Sequence, residues 1–323
     1  MSRLLIVHEK RIPISLRKLA VQEAKKRRFL VKVSFYKDSL SSIAKKLNWA
    51  DVALFAPGRY LDENILKHAS RCKLFQLWSS GFDKFNVMAA QKFGIPVSTN
   101  GGANADAVAE HTILLMLAVL KKIILNHKRT VNGKWKNNGH GMDLFSAKDK
   151  TLGLVGFGEI GSRVGKIAAA MGMKVIYTDP NPRQENLNRV PSAKGVKLDQ
   201  LLRKADIISL HVHLNLYTKG MISKSRLSLL KKQSILINVS RAELVDTKKL
   251  FKMLNSGDLF GVGLDVFNEE PTKPGDPLLN HPNVVCSPHM AAVTFDSHKN
   301  VIKNCFDNLE RARQGNKVLW KVA

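Results

Sequence analysis

A chain of 323 residues has room for two ordinary domains, and its 44% hydrophobic content supports packed cores and excludes wholesale disorder. The formal net charge of +26 is spread along the whole sequence; its densest run, Lys25-Lys26-Arg27-Arg28, falls in a surface-helix pattern without interleaved aromatics, which argues against nucleic acid and for a positive field that draws in small anions. Three scattered cysteines, Cys72, Cys286 and Cys305, exclude a disulfide framework or a zinc site, and no apolar run approaches the ~20 residues a bilayer span needs, so a reduced, cytoplasmic protein without targeting peptide or membrane contact is expected.

In chain order, short apolar runs alternate with helical patterns, the signature of an α/β fold with mostly parallel strands. Leu4–His8 reads as a strand, Ser15–Arg28 as a basic helix, and Val31–Tyr36, Val52–Ala56 and Lys73–Trp78 as further strands. One apolar-periodic helix is expected from about Ala105 to about His127, followed by a Gly-, Asn- and Lys-rich loop around Asn132–Asp143 that contains Trp135. From Lys150 the pattern sharpens. Strands are expected at Thr151–Val155, Lys174–Thr178, Ile207–Val212, Ser234–Val239, Gly261–Val266 and Val284–Ser287. No internal repeat or low-complexity segment interrupts the series.

Gly156-Phe157-Gly158-Glu159-Ile160-Gly161 is a G-x-G-x-x-G that directly follows a strand and opens a helix, Ile160–Met171. That context marks a dinucleotide-binding turn of the Rossmann type. The first glycine allows the tight turn, the second lets backbone approach a pyrophosphate, and the third lets helix and strand pack closely. The helix start offers unpaired N–H groups and the positive end of its dipole to the phosphates. Asp179 ends the next strand, 18 residues past Gly161. A carboxylate there accepts from ribose hydroxyls and repels a 2′-phosphate, which favours NAD over NADP, with Arg183 close by as the opposing signal.

Three further segments each set a charged residue just beyond an apolar strand: Ile237–Asp246 with Arg241, Gly263–Pro271 with Asp265 and Glu270, and Ser287-Pro288-His289. In an open α/β sheet such strand ends line the ligand crevice. Arg offers a planar fork to a carboxylate, His exchanges protons near neutrality, and a carboxylate beside the His favours the imidazolium and fixes the ring.

With these segments in this order, the chain resembles the D-isomer-specific 2-hydroxyacid dehydrogenase family over nearly its whole length. Asn104-Ala-Asp-Ala-Val-Ala-Glu110-His111 resembles the start of that family's domain-crossing helix. The resemblance implies a Rossmann-type doubly wound parallel sheet in an NAD-binding domain at 103–292. It also implies a smaller, flavodoxin-like α/β substrate domain from the discontinuous segments 1–102 and 293–323, with substrate in the cleft between them. NAD is the implied cofactor and a small 2-hydroxy or 2-keto acid, such as glyoxylate or hydroxypyruvate, the implied substrate. Arg241 would bind the carboxylate and carbonyl, His289 would act as acid and base, and Glu270 would pair with His289. Asp265 matches a position that contacts the nicotinamide carboxamide; Glu159, Ile160, Val212, Val239, Ser240, Ala291 and Ala292 would complete the cofactor lining. Backbone N–H groups at Ser79, Ser80 and Gly81, with Asn104 near the crevice, would hold the substrate carboxylate. Such enzymes are usually dimers through the cofactor domain, so the Ala105–His127 helix and the Trp135 loop become candidate contacts.

His213, the Ala242-Glu243 pair and Ala292 depart from the family pattern, which puts in doubt the loop near the cofactor and the strength of anion binding beside Arg241. His111, His211, His213 and His281 match no role and read as structural. Phe55 and Trp78 read equally as an apolar substrate wall or as core. Arg59 reads as a surface residue before a second anion site. Two alternatives stand beside the dehydrogenase reading. One is an NAD(H)-sensing binding protein or corepressor on the same fold. The other is a 3-phosphoglycerate dehydrogenase, weakened by a chain that runs only 34 residues past His289 without an appended regulatory domain.

Overall fold

The computed structural model describes residues 1–322 apart from Arg11, Pro57, Arg59 and 136–141, so the question of Arg59 as an anion site lies outside the described residues. The chain divides into two compact units, Met1–Asn104 with Val293–Ala323, and Ala105–Ala292.

The first unit runs β1 (Arg3–His8), α1 (Ile14–Lys26), β2 (Leu30–Phe35), α2 (Leu40–Trp49), β3 (Val52–Phe55), α3 (Glu63–Leu66), β4 (Phe75–Leu77), α4 (Val87–Lys92) and β5 (Val97–Ser98). Its five parallel strands stand in the order β2-β1-β3-β4-β5. Alternation along β1 decides the layering. Leu5 and Val7 join one buried cluster with Ile43 and Leu47 of α2, while Leu4 and Ile6 join another with Ala20 of α1 and Phe306 from the C-terminal helix. A strand covered on both faces reads as a continuous apolar run, which is why Leu4–Val7 carries no polar residue. Phe55 and Trp78 are core residues: Phe55 is 2% exposed between the rings of Phe75 and Phe85, and Trp78 is 8% exposed in the second cluster. A bulky substrate wall built on them is thereby overturned.

The second unit begins with α5 (Ala105–Leu120) and α6 (Ile123–Val131). The single helix expected over Ala105–His127 is broken at Lys121-Lys122, where Lys122 adopts φ 46 and the Leu120 carbonyl accepts from Phe145 N–H instead of the next helical turn. α5 is apolar nearly all round because it is covered: it packs on α7 and the far end of the sheet, burying ten residues. Then follow β6 (Thr151–Val155), α7 (Glu159–Ala170), β7 (Lys174–Thr178), α8 (Gln184–Arg189), β8 (Lys194–Gly195), α9 (Leu198–Lys204), β9 (Ile207–Leu210), α10 (Lys224–Leu227), β10 (Ser234–Asn238), α11 (Thr247–Asn255), β11 (Leu259–Leu264) and β12 (Val284–Cys286). α12 (Phe295–Arg313) returns to the first unit.

The second sheet has the order β12-β11-β10-β9-β6-β7-β8, all parallel. Counted from β6, this is the doubly wound 3-2-1-4-5-6 arrangement of a Rossmann domain extended by one strand, and its order reverses between β6 and β9. Among the described residues no helix is long and apolar enough to cross a membrane, and no group of three or more His, Cys, Asp or Glu gathers as metal ligands.

Candidate active site

Register across the second sheet brings the candidate residues together. Thr178, Val155, Leu210, Asn238, Leu264 and Cys286 form one row of lateral partners from β7 to β12. In a parallel sheet every chain leaves at the same edge, so Asp179, Gly156, His211, Val239, Asp265 and Ser287 emerge side by side at the carboxyl ends. Residues more than 100 positions apart in sequence thus share one rim.

The glycine turn lies at the reversal point. Gly156 has φ 95, and a Cβ there would sit 2.5 Å from the His211 carbonyl oxygen. A Cβ on Gly161 would sit 2.2 Å from the Gly156 oxygen. These two glycines are demanded by the protein itself. Gly158 differs: a Cβ there meets nothing within 4 Å, although it is the N-cap of α7. The open space at a helix N-terminus is where a pyrophosphate fits. Asp179 accepts from Phe157 N–H at 2.8 Å and from Asn181 N–H at 2.9 Å, one on each carboxylate oxygen, which fixes it beside the turn with lone pairs remaining for a ribose. The Glu159 carboxylate pairs with Arg163 and Arg189, at 2.5 and 3.6 Å. Val212 lines the turn, its Cγ1 lying 2.9 Å from where a Gly156 Cβ would be. Ile160 and Val239 are partly buried against the core beside α5 and α7.

His289 and Glu270 meet: His289 Nδ1 is 2.9 Å from Glu270 Oε2, with side chains 43% and 28% exposed. Glu270 Oε1 accepts from Phe267 N–H at 3.1 Å, so the carboxylate is held at both ends. Nδ1–H therefore faces Glu270, and Nε2 is the nitrogen available for proton exchange. Arg241 lies three residues beyond β10, in a turn set by Asn238. The buried Asn238 side chain donates to the Arg241 carbonyl at 2.8 Å and accepts from Ser240 N–H at 3.0 Å, while Ser240 Oγ donates to the Leu210 carbonyl. The guanidinium Nη1 donates to the Ser240 carbonyl at 2.8 Å. Glu243 is exposed, away from the buried Ala242 and Leu244 that flank it.

Asp265 lies just beyond β11. It is fully buried, and its oxygens accept from Ser287 Oγ–H, Met290 N–H and Ala291 N–H, at 2.6, 2.8 and 2.8 Å. Its observed work is to hold the loop around His289. Ala291 is buried by that contact, and Ala292 is half-buried. In the first unit, Ser80 Oγ lies 2.7 Å from both Asn100 Oδ1 and Asn104 Oδ1. Among the described residues the N–H groups of Ser79, Ser80 and Gly81 meet no protein acceptor, a run of donors suited to an anion.

Two features escape sequence reasoning. Asn238, a polar residue ending the apolar run Ile235–Ile237, is the one with a visible signal. His211 has none. Its ring is buried, with Nε2 2.9 Å from Ser209 Oγ and no partner for Nδ1 among the described residues, and burial pushes its pKa down to about 3. It is a neutral ring under the glycine turn.

Comparison with known proteins bears on the family and the fold. Residues 113–291 match the family model "D-isomer specific 2-hydroxyacid dehydrogenase, NAD binding domain". A glyoxylate reductase of Thermococcus litoralis is 37% identical over 254 residues, covering 77% of this chain and 76% of the relative. Among solved structures, a glyoxylate reductase from Paecilomyes thermophila superposes with TM-score 0.86 at 26% identity, covering 99% of this chain and 98% of that one. D-lactate dehydrogenase from Aquifex aeolicus, complexed with NAD and lactic acid, gives TM-score 0.82 at 27% identity, covering 97% and 96%. The chain belongs to the D-isomer-specific 2-hydroxyacid dehydrogenase family. It is an NAD-dependent oxidoreductase that transfers hydride, with an NAD-binding Rossmann-like domain and a second α/β domain.

Proposed function

We propose that the chain reduces a small 2-keto acid, glyoxylate or hydroxypyruvate, to the D-2-hydroxy acid with NADH. The observation that carries this is the His289–Glu270 pair, held at 2.9 Å on the sheet rim that bears the glycine turn. The glyoxylate reductases among the relatives support the substrate class.

Gly156, Gly158, Gly161 and Asp179 would hold the dinucleotide, with Glu159, Ile160, Val212, Val239, Ser240, Asp265, Ala291 and Ala292 around it. Bound NADH supplies the hydride that reaches the keto carbon. His289, as imidazolium, gives its Nε2 proton to the carbonyl oxygen, and in the reverse direction the neutral ring takes it back. Glu270 keeps Nδ1 protonated and offsets the positive charge of the ring. Arg241 pairs the substrate carboxylate and polarises the carbonyl beside it. The N–H groups of Ser79, Ser80 and Gly81, with Asn104 close to Ser80, are assigned to anion recognition in the first unit.

The first unit is read as the substrate domain, at 1–102 with 293–323, and 103–292 as the NAD-binding domain. Its strand order 2-1-3-4-5 supports a flavodoxin-like identity. A homodimer is assigned to the second unit. Exposed Ile123, Ile124 and Val131 on α6, with Leu114, Trp135 and Met142, supply apolar surface there, whereas most of α5 is interior. The excess of Lys and Arg serves to attract acidic substrate and cofactor, without nucleic acid as a partner. A steady-state screen of 2-keto acids with NADH and with NADPH tests the reading. NADH-dependent turnover of the smallest acids supports it, and NADH binding without turnover of any acid contradicts it.

A further inference from the structure

His111 begins a hydrogen-bond chain that ends on the loop bearing His289. Its Nε2 lies 2.7 Å from Ser287 Oγ, and that hydroxyl lies 2.6 Å from Asp265 Oδ1. A hydroxyl has one proton to give, and an ionised carboxylate only accepts. Ser287 therefore donates to Asp265 and must accept from His111, which fixes the proton of His111 on Nε2. Asp265, with its side chain 1% exposed, further accepts from Met290 and Ala291 N–H. Three donors from the segment 287–291, the Ser287 hydroxyl and the Met290 and Ala291 N–H groups, are thus fastened to one buried carboxylate.

His289 lies at the centre of that segment with φ 53, a left-handed conformation that a residue with a side chain holds only when its surroundings impose it. Without the anchor, the backbone would relax and swing the ring from Glu270. His111, itself half-buried, stands on α5, a helix fastened by ten other buried residues, so the anchor is tied to a fixed element. It also lies 3.7 Å from Asp265 Oδ1.

We propose that His111 and Ser287 are positioning residues for proton transfer: through Asp265 they hold His289 in the conformation that meets Glu270. The inference rests on the reading of His289 as the proton donor and is tested so that the two can fail separately.

The variants are His111→Leu, His111→Gln, Ser287→Ala and His289→Ala, with His111→Leu also made on the His289→Ala background. Turnover of glyoxylate, its KM and the NADH dissociation constant are measured for each. Gln can donate from its amide where His111 Nε2 does, and Ser287→Ala removes the link without altering α5. His111→Leu and Ser287→Ala are expected to lower kcat about 10- to 100-fold with KM and NADH affinity changed no more than about 3-fold, and His111→Gln to recover most of the loss. On the His289→Ala background His111→Leu is expected to cost no more than about 2-fold, because its effect passes through His289. Unchanged kcat in His111→Leu, equal losses in His111→Leu and His111→Gln, or the full loss repeated on the His289→Ala background would each overturn the positioning role. Wild-type turnover by His289→Ala would instead overturn the assignment of His289, and the positioning role with it.

Discussion

Replacing Gly158 and Gly161 by alanine, one at a time, separates what the glycine turn does for the fold from what it does for the cofactor. At Gly161 the new Cβ would lie 2.2 Å from the Gly156 oxygen and 3.1 Å from its carbonyl carbon. Both are backbone atoms, so β6 and α7 must part. Overpacking of this kind costs about 1–3 kcal/mol, and each kcal/mol lowers Tm by roughly 2–4 °C in a domain of this size. At Gly158 the Cβ meets no atom within 4 Å, and φ −78 with ψ −155 is open to alanine. Alanine is the poorer N-cap by about 0.5–1 kcal/mol, and the less flexible unfolded chain returns about 0.4–1 kcal/mol, so Tm should move by no more than about 2–3 °C. The methyl group nevertheless fills the space kept open at the start of α7. NADH affinity should fall at least about tenfold, or about 1.4 kcal/mol. Thermal denaturation and NADH fluorescence titration read the two effects. Gly158→Ala binding NADH within twofold of wild type would refute the assignment of that space to the pyrophosphate, and an unchanged Tm in Gly161→Ala would refute the packing argument.

Arg241→Lys keeps a positive charge but loses the planar fork, so the KM for glyoxylate should rise at least about tenfold while NADH affinity holds; a KM within twofold would argue against carboxylate recognition there. Glu270→Gln preserves a hydrogen-bonding side chain beside His289 without its charge, and kcat should fall by about 10- to 100-fold. An unaltered rate would mean that charge beside the ring is immaterial. His211 gives a stability signal. Its folded pKa, about 3, lies below the ordinary value near 6.5, so the unfolded chain binds the extra proton between them. Its contribution is complete above about pH 6.5 and is lost as pH falls toward 3, with a slope approaching about 1.4 kcal/mol per unit. Urea midpoints from pH 7.5 down to 4.5 should decline less steeply in His211→Phe than in wild type, and parallel declines would contradict the buried neutral ring.

Much of this was legible in the sequence wherever a local rule coincides with the tertiary outcome. Buried parallel strands must be continuous apolar runs, so Leu4–Val7, Thr151–Val155 and Ile235–Ile237 announce themselves. The glycine turn is legible because the protein, not only the ligand, requires Gly156 and Gly161. The break at Lys121-Lys122 was not, since the capping donor, Phe145 N–H, comes from 25 residues further along the chain. The inward turn of Asp265 and its link to His111 depend on strand register and on how α5 lies across β11, neither of which is written in the motif itself. Phe55 and Trp78 stayed ambiguous because an aromatic at a strand end is compatible with core and with crevice, and only their neighbours decide.

The central claim is that His289, braced by Glu270, delivers the proton that accompanies hydride transfer. Its most direct measurement is single-turnover reduction of glyoxylate by the NADH complex, followed by loss of nicotinamide absorbance, in wild type and His289→Ala. The account predicts that the variant binds NADH as wild type does and reduces glyoxylate at least about 100-fold more slowly. Equal single-turnover rates in the two proteins would contradict it.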